Sequence, residues 1–436
     1  MNDNHAIACD ALDFALKRGC SAARITLGSG VQSSFSVRDQ LLEKVHQAAG
    51  NTLTLQLYVA GRYGSFSTNR LKYNDLRLFI EQAISGVRLL APDPARMLPN
   101  PARYYKGNDD LQQFDSELAA VTSQEKKELA FACAQEVWEK DPRLVSVESG
   151  FSDSSEVFYM IDSQGFEETV HQSACTLTAE VALREVGDAR PSAWWYESSL
   201  YKNELPTQGC GIEALKRAVA KLNPKQLASR RYPMVVEHTV AAQLLSPLIA
   251  ALNGAALQQN NSFLINKLGE KIGSDLLSLT DYPRTPRAIG ARLFDAEGVA
   301  TQTASIFKNG VLNTYFIDTY YANKLQVAPT IGGPSLLAWD LGNGTAADLM
   351  QQVGNGVFVT GFNGGNCNSS TGDFSYGVEG FEIVNGKPSA PINEMLISGN
   401  ILHLWRALCA VAKDARPCSS WRIPSLAFSD VSFSGI

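Results

Sequence analysis

The sequence predicts an α+β protein in three units: an N-terminal α/β sheet-and-helix domain over residues 1–92, a middle α+β domain over 93–224, and a strand-rich C-terminal domain with a few helices over 225–436. Three observations carry this prediction. Strict alternation in TLTLQLYVA puts Leu53, Leu55, Leu57 and Val59 on one face, as a half-buried strand requires. A 3.6-residue stripe of Leu76, Phe79, Ile80, Ala83, Ile84 and Val87 follows it, so helix and sheet are interleaved. At 436 residues the chain exceeds what one ordinary core supports, and prolines at 92, 94, 99 and 101 mark the first place to divide it.

Taken in order, Ala8, Ala11, Leu12, Ala15 and Leu16 keep helical spacing, and Gly19 stands where a C-terminal cap is expected. Strand-like runs pass through Ile25, Phe35 and Val45 before the alternating run above, and the helix after it starts near Asn74 or Asp75. The middle unit opens with a helix over 123–140, stopped by Asp141-Pro142. Runs at 144–151, 157–161 and 175–183 then read as an antiparallel sheet, and Ile212, Leu215, Val219 and Leu222 as a last helix before a boundary near Asn223. In the C-terminal unit two Asn-Gly pairs, Asn309-Gly310 and Asn385-Gly386, predict hairpin turns. Helices are expected at 240–252, with Pro247 kinking or restarting it, and at 263–271 and 400–412.

The whole is organised around a stretch rich in glycine and asparagine, GFNGGNCNSSTGDFSYGVEG, from Gly361 to Gly380. It lacks GxxxxGK[ST] and any GxGxxG that opens a helix, which argues against a phosphate cradle. Phe362, Phe374 and Tyr376 would anchor it while its glycines let backbone approach closely. The reading is a backbone-lined loop feeding a strand, set against a plain glycine-rich turn.

Composition excludes several classes. A net charge of −6 and the absence of a basic stripe argue against nucleic-acid binding. No apolar run approaches the roughly 20 residues that span a bilayer, and the first residues lack a signal-peptide layout, so a cytoplasmic location and no membrane partner are expected. Eight scattered cysteines without a CxxC pair read as reduced thiols. The five histidines are never closer than 41 residues, so no single helix carries two metal-binding imidazoles. Glu237-His238 reads as a capping or core-edge pair and His403 as a packing residue; a metal site from His238, His403 and Cys418 would need distant segments to meet. Cys367 is either a thiol activated by nearby N–H groups or a small buried one. Asp295 and Glu297 are paired acids beside Gly298, able to serve catalysis or metal binding or, more ordinarily, to be a turn-capping Asp and a solvated Glu.

The blocks SFLINKLGEKIGSDLLSLTDYP, ARLFDAEGVATQTASIFKNGVLNTYFIDTYYANKL, TGDFSYGVEGFEIVNGKP and ISGNILHLW closely resemble the TldD/PmbA family of peptidase subunits. That resemblance implies a hollow heterodimer acting on unfolded or flexible peptides, with zinc held by HExxxH in one branch. Here the matching region reads EHTVAAQLLSPLIAALN, which lacks that motif and looks like the PmbA or TldE branch. The resemblance therefore implies no catalytic residue and no cofactor on this chain, zinc on a TldD-like partner or, alternatively, a homodimer, and a peptide substrate. Gly361, Asn363, Gly364, Gly365, Gly372, Asp373, Ser375 and Tyr376, with Asp295 and Glu297, are the residues expected to line the chamber. A self-sufficient peptidase and a non-proteolytic, gyrase-modulator-like interaction protein are the alternatives.

Overall fold

The computed structural model describes residues 3–187 and 189–435. Helix α1 (Asp3–Lys17) leads into strands β1 (Ala22–Arg38), β2 (Leu41–Val59) and β3 (Arg62–Thr68), then α2 (Tyr73–Arg88). After the proline-rich crossing come α3 (Ser123–Gln135), β4 (Leu144–Asp162), β5 (Glu167–Leu183), β6 (Ser192–Ser199) and α4 (Cys210–Ala220). These strands form one antiparallel sheet in the order β3-β2-β1-β4-β5-β6. Backbone pairing thus runs from residues 1–92 into residues 93–224, through β1 against β4. Apolar packing stays largely divided: α1 and α2 cover one end of the sheet through Ile25, Leu55 and Leu57, while α3 and α4 cover the other through Phe151, Leu177 and Val181. The α3 N-terminus is fixed by a capping box between Thr122 and Glu125.

The remainder begins with β7 (Arg230–Val236), α5 (His238–Ala251) and α6 (Gly254–Gln258). A small sheet follows from β8 (Leu279–Asp281), β9 (Ala304–Lys308), β10 (Val311–Leu312), β11 (Leu337–Trp339) and the later β16 (Trp421–Arg422), with α7 (Thr319–Leu325) and α8 (Ala346–Val353) between its strands and the next sheet. The last sheet uses β7, β12 (Gly356–Cys367), β13 (Asp373–Val384), β14 (Lys387–Asn400), β15 (Leu408–Val411) and β17 (Leu426–Gly435), with α9 (Ile401–Arg406) between β14 and β15. Its order is β14-β13-β12-β7-β17-β15, and β14 also pairs with β17. Five of its strands therefore close on themselves, which leaves few unpaired edges. α5 sends Leu244, Leu245 and Leu248 into the core that this closed sheet shares with Trp405 and Phe428.

Both Asn-Gly turns take the left-handed backbone expected of them, Asn309 and Gly310 at φ 50° and 77°, Asn385 and Gly386 at 52° and 75°. Two predicted helices differ. Residues 263–271 form turns, because Asn266 at φ 59° and Gly269 at 81° interrupt any helical path. The helix expected over 400–412 stops at Arg406, and the chain continues as β15 because its backbone pairs with β17. Pro247 lies inside α5 without ending it.

Candidate functional site

The glycine-rich stretch is chiefly a hairpin of β12 and β13, not a long loop, and its turn spans only residues 368–372. Its glycines allow two backbones to touch. A Cβ on Gly365 would lie 2.1 Å from the Ser375 carbonyl oxygen, one on Gly377 2.5 Å from that of Asn363, and one on Gly380 1.9 Å from that of Phe358. The anchoring role of the aromatics holds: Phe374 is buried, stacks on Tyr376 at 5.5 Å, and Phe362 meets Tyr376 edge-on at 5.8 Å. Burial, with the neighbouring Cys367, pushes the Tyr376 hydroxyl up to about 12. Cys367 is half-buried, and its thiol is raised by burial and then by Asp373, which argues against an activated thiol.

The base of this hairpin forms one wall of a cleft of about 510 Å³. The N-terminal turn of α5, β6 and α4 line the rest of it. Gly361 and Asn363 line it. A Cβ on Gly361 would come 2.3 Å from a Glu379 carboxylate oxygen, so its missing side chain makes room for Glu379 to reach Lys221 Nζ at 2.6 Å. Gly364, Gly365, Gly372, Asp373, Ser375 and Tyr376 sit farther along the hairpin and are not among the lining residues. Asp373 is at its exposed end, accepting from Thr371 Oγ1 at 2.8 Å and Asn400 Nδ2 at 3.0 Å.

Asp295 and Glu297 lie elsewhere, at the contact with the first sheet. Asp295 closes its own turn, accepting from the backbone N–H groups of Glu297 and Val299 at 2.8 and 3.0 Å. Glu297 accepts from the Thr319 N–H at 2.9 Å and hydroxyl at 2.8 Å, at the start of α7. Its carbonyl oxygen receives the Arg24 guanidinium at 2.7 Å, and Arg24 pairs with buried Asp162 at 2.8 Å. Asp295 thus caps a turn, whereas Glu297 is half-buried instead of solvated, holds the first residue of α7, and has its carboxyl raised by burial.

In the cleft, Glu237 opens α5 and accepts two bonds from Arg217 of α4, Oε2 from Nη1 at 2.9 Å and Oε1 from Nη2 at 2.6 Å. Burial works to raise the Glu237 carboxyl, but Arg217 outweighs it and holds the group below its ordinary range. Next to it, His238 places Nδ1 3.6 Å from an Asp414 oxygen, close enough to attract charge but too long for a hydrogen bond. Asp414 also accepts from the Ser425 N–H at 2.7 Å, the Ser425 hydroxyl at 2.8 Å and the Ala346 N–H at 3.0 Å. Burial would raise it, yet His238 and these bonds bring it down to about 2.

Trp195 of β6 is clamped between two guanidinium groups, Arg217 at 4.3 Å and Arg416 at 4.2 Å from its ring centre. Arg416 also donates to the Tyr196 carbonyl at 2.6 Å and to Glu197 at 2.9 Å. Cys418 lies beside these groups; burial raises its thiol, and Arg416 offsets only part of that. His403 is exposed on α9 near Asp373. Among the described residues no three His, Cys, Asp or Glu side chains are grouped to hold a metal ion, so His238, His403 and Cys418 do not form one site. Arg217, Trp195, Asp414 and Arg416 were not singled out in the sequence. They come from three separate segments, β6, α4 and the loop that carries Asp414 and Arg416, and no local spacing signals their meeting.

A second cavity of about 570 Å³, between residues 109–114, His171 and residues 292–294, holds none of the candidates. No helix among the described residues is long and apolar enough to cross a membrane.

The comparisons agree with this architecture. The PmbA/TldA metallopeptidase central domain matches residues 116–222, and the PmbA/TldA metallopeptidase C-terminal domain matches residues 229–435. The metalloprotease PmbA homolog of Haemophilus influenzae is 28% identical, over 98% of this chain and 94% of its own length. Metalloprotease PmbA of Escherichia coli O157:H7 is 26% identical over the same shares. A crystal structure from Bacteroides thetaiotaomicron, named for modulation of DNA gyrase, is 50% identical, covers all of both chains and superposes with a TM-score of 0.98. TldE from Thermococcus kodakarensis, 21% identical over 98% of this chain and all of its own, shares the fold with a TM-score of 0.86. Metalloprotease names recur among these relatives, and with both domain models matched in order, the chain belongs to the PmbA/TldD family of metallopeptidases.

Proposed function

We propose that the chain is a PmbA/TldE-like subunit of a cytoplasmic zinc metallopeptidase that acts on unfolded or flexible peptides, and that the zinc and its activated water belong to a TldD-like partner. The observation that carries this reading is the Arg217–Glu237 pair. A metal site at the start of α5 would need free, deprotonated donors. Both Glu237 oxygens are already taken by a fixed guanidinium, and the next turn of the helix offers Ala241 and Ala242 in place of a second imidazole. The donor set does not fit zinc, and no hydrolytic step is assigned to it. Gly361 and Asn363, which line the cleft together with β6, are the residues of the expected chamber that this reading retains for peptide contact.

The test is in two parts. Metal content of freshly purified, untagged chain is expected to be far below one zinc per chain. Mixed with a TldD-like subunit carrying HExxxH, the chain is expected to raise cleavage of an unstructured peptide, an activity it lacks alone. Stoichiometric zinc, or chelator-sensitive cleavage by the chain alone, would overturn the proposal.

A further inference from the structure

Among the described residues β6 pairs with β5 alone, so the first sheet ends in an open edge whose residues 193–196 line the cleft. The backbone N–H of Leu183 donates to the Pro191 carbonyl at 3.0 Å, and the register continues as Val181 opposite Ala193 and Ala179 opposite Trp195. In an antiparallel ladder hydrogen-bonded pairs recur every second residue. Ala193, Trp195 and Glu197 therefore turn their backbone groups toward β5, while Ser192, Trp194, Tyr196 and Ser198 turn theirs outward. The outward phase is visible at Tyr196, whose carbonyl takes the Arg416 guanidinium instead of a strand. Trp194 and Tyr196 share one face and stack at 5.5 Å, and Trp194 is 62% exposed, a large aromatic surface held ready beside an open strand edge.

The charges in the cleft cancel locally. Lys216 pairs with Glu213 at 3.3 Å, Arg217 with Glu237, Lys221 with Glu379 at 2.6 Å, and Arg416 with Glu197 at 2.9 Å. No single sign is left to select a charged ligand, so what the wall offers is a row of backbone donors and acceptors beside an aromatic pair.

Building on the peptide-handling reading above, we propose that β6 binds an extended peptide segment as an added strand along residues 192–196, with Trp194 and Tyr196 as the side-chain platform and Arg416 marking where the added strand ends. Recognition by strand addition takes most of its affinity from main-chain hydrogen bonds, so it tolerates many sequences and demands an unfolded backbone. A segment whose backbone is already paired within a folded domain has no such groups to offer.

The experiment uses the full chain and a fluorescein-labelled, acetylated and amidated hexapeptide of non-repeating small apolar and hydroxyl residues, read by fluorescence polarisation. A set of peptides N-methylated at one amide each is compared. The expected result has period two: methylation at alternate positions weakens binding by about fivefold each, the worth of one hydrogen bond, and methylation between them leaves it about unchanged. Trp194→Ala, at an exposed position, is expected to weaken binding by a similar factor with the circular dichroism spectrum intact. A flat methylation scan, no measurable binding, or a chain that instead self-associates through β6 with peptide binding unaffected by Trp194→Ala, would each overturn the assignment. If cleavage with the catalytic partner is restored while the scan is flat, β6 alone is wrong. If the scan alternates but cleavage is not restored, β6 stands and the subunit reading is lost.

Discussion

Replacing Arg217 with Met keeps most of the side-chain volume but takes the guanidinium from Glu237, Glu213 and the Trp195 ring together, and pairing it with Glu237→Gln separates the Glu237 part of the loss. Both partners are well covered, with side-chain exposures of 20% for Arg217 and 11% for Glu237. Breaking a fully buried pair costs about 3–5 kcal/mol, chiefly because the remaining charge is left without a partner. Residual solvent lowers this to about 2–3 kcal/mol at neutral pH, measured as the loss of unfolding free energy in urea. The pH dependence is more telling than the size. In the parent, Glu237 sits below its ordinary range, so its contribution is present above the unfolded carboxyl range near 4.5 and is lost as pH falls through the folded value. In Arg217→Met burial, the largest single influence on Glu237, is opposed only by the Thr239 hydroxyl and His238, so the group is expected to rise. The sign then reverses: the variant is penalised when Glu237 is ionised and recovers relative to the parent as pH falls below 5. Adding Glu237→Gln should restore most of the loss at pH 7. Equal losses in the single and double variants, or parallel acid limbs, would show that Arg217 does not hold Glu237.

Three further outcomes follow from the same geometry. Asp414→Asn should cost about 2 kcal/mol at pH 7, the value of lowering a carboxyl from 3.8 to about 2, and the difference from the parent should vanish as pH falls from about 4 to 2, as followed by acid titration of tryptophan fluorescence. Gly365→Ala should destabilise by about 3 kcal/mol or more, since φ is 98° and the new methyl meets the Ser375 carbonyl, whereas Gly364→Ala, at φ 77° with open space, should cost about 1 kcal/mol in urea melts. Gly310→Ala should resemble Gly365→Ala, because its Cβ would lie 2.3 Å from the Gly273 carbonyl oxygen.

Elements with a long, regular period were legible. The alternating run of Leu53 to Val59 and the stripe of Leu76 to Val87 became β2 and α2, and the Asn-Gly pairs became tight turns, because each depends on neighbours only a few residues away. Short apolar runs were not. Leu408 to Val411 has enough apolar character for a helix, yet its partner β17 decides the matter from fifteen or more residues later. Pairing of β1 with β4 was hidden for the same reason: their residues stand more than a hundred positions apart, and nothing in either strand names its neighbour. The glycine-rich stretch misled in an instructive direction. Its composition reads as a backbone-lined loop feeding a strand, but Gly377 and Gly380 serve contact between β12 and its own hairpin partner, and it is the base of the hairpin that lines the 510 Å³ cleft.

The pair at the start of α5 links stability to chemistry. A buried carboxylate at a helix N-terminus needs a compensating positive charge, and either a metal ion or a guanidinium can supply it. Here Arg217 supplies it from α4, which also ties the middle unit to the C-terminal one, together with Lys221 and Glu379. A metal would have to displace a bidentate bond that the fold itself uses, so on the proposed reading the absence of zinc from this subunit and the contact between α4 and α5 have one cause. This coupling makes a sharp expectation for Arg217→Met: it should loosen the cleft wall and free the Glu237 oxygens together, yet still bind zinc no tighter than the parent, because a single carboxylate with His238 turned toward Asp414 does not complete a tetrahedral set. Zinc titration of that variant, followed by calorimetry, tests the point; tight binding would mean that Arg217 alone had been keeping a metal site closed.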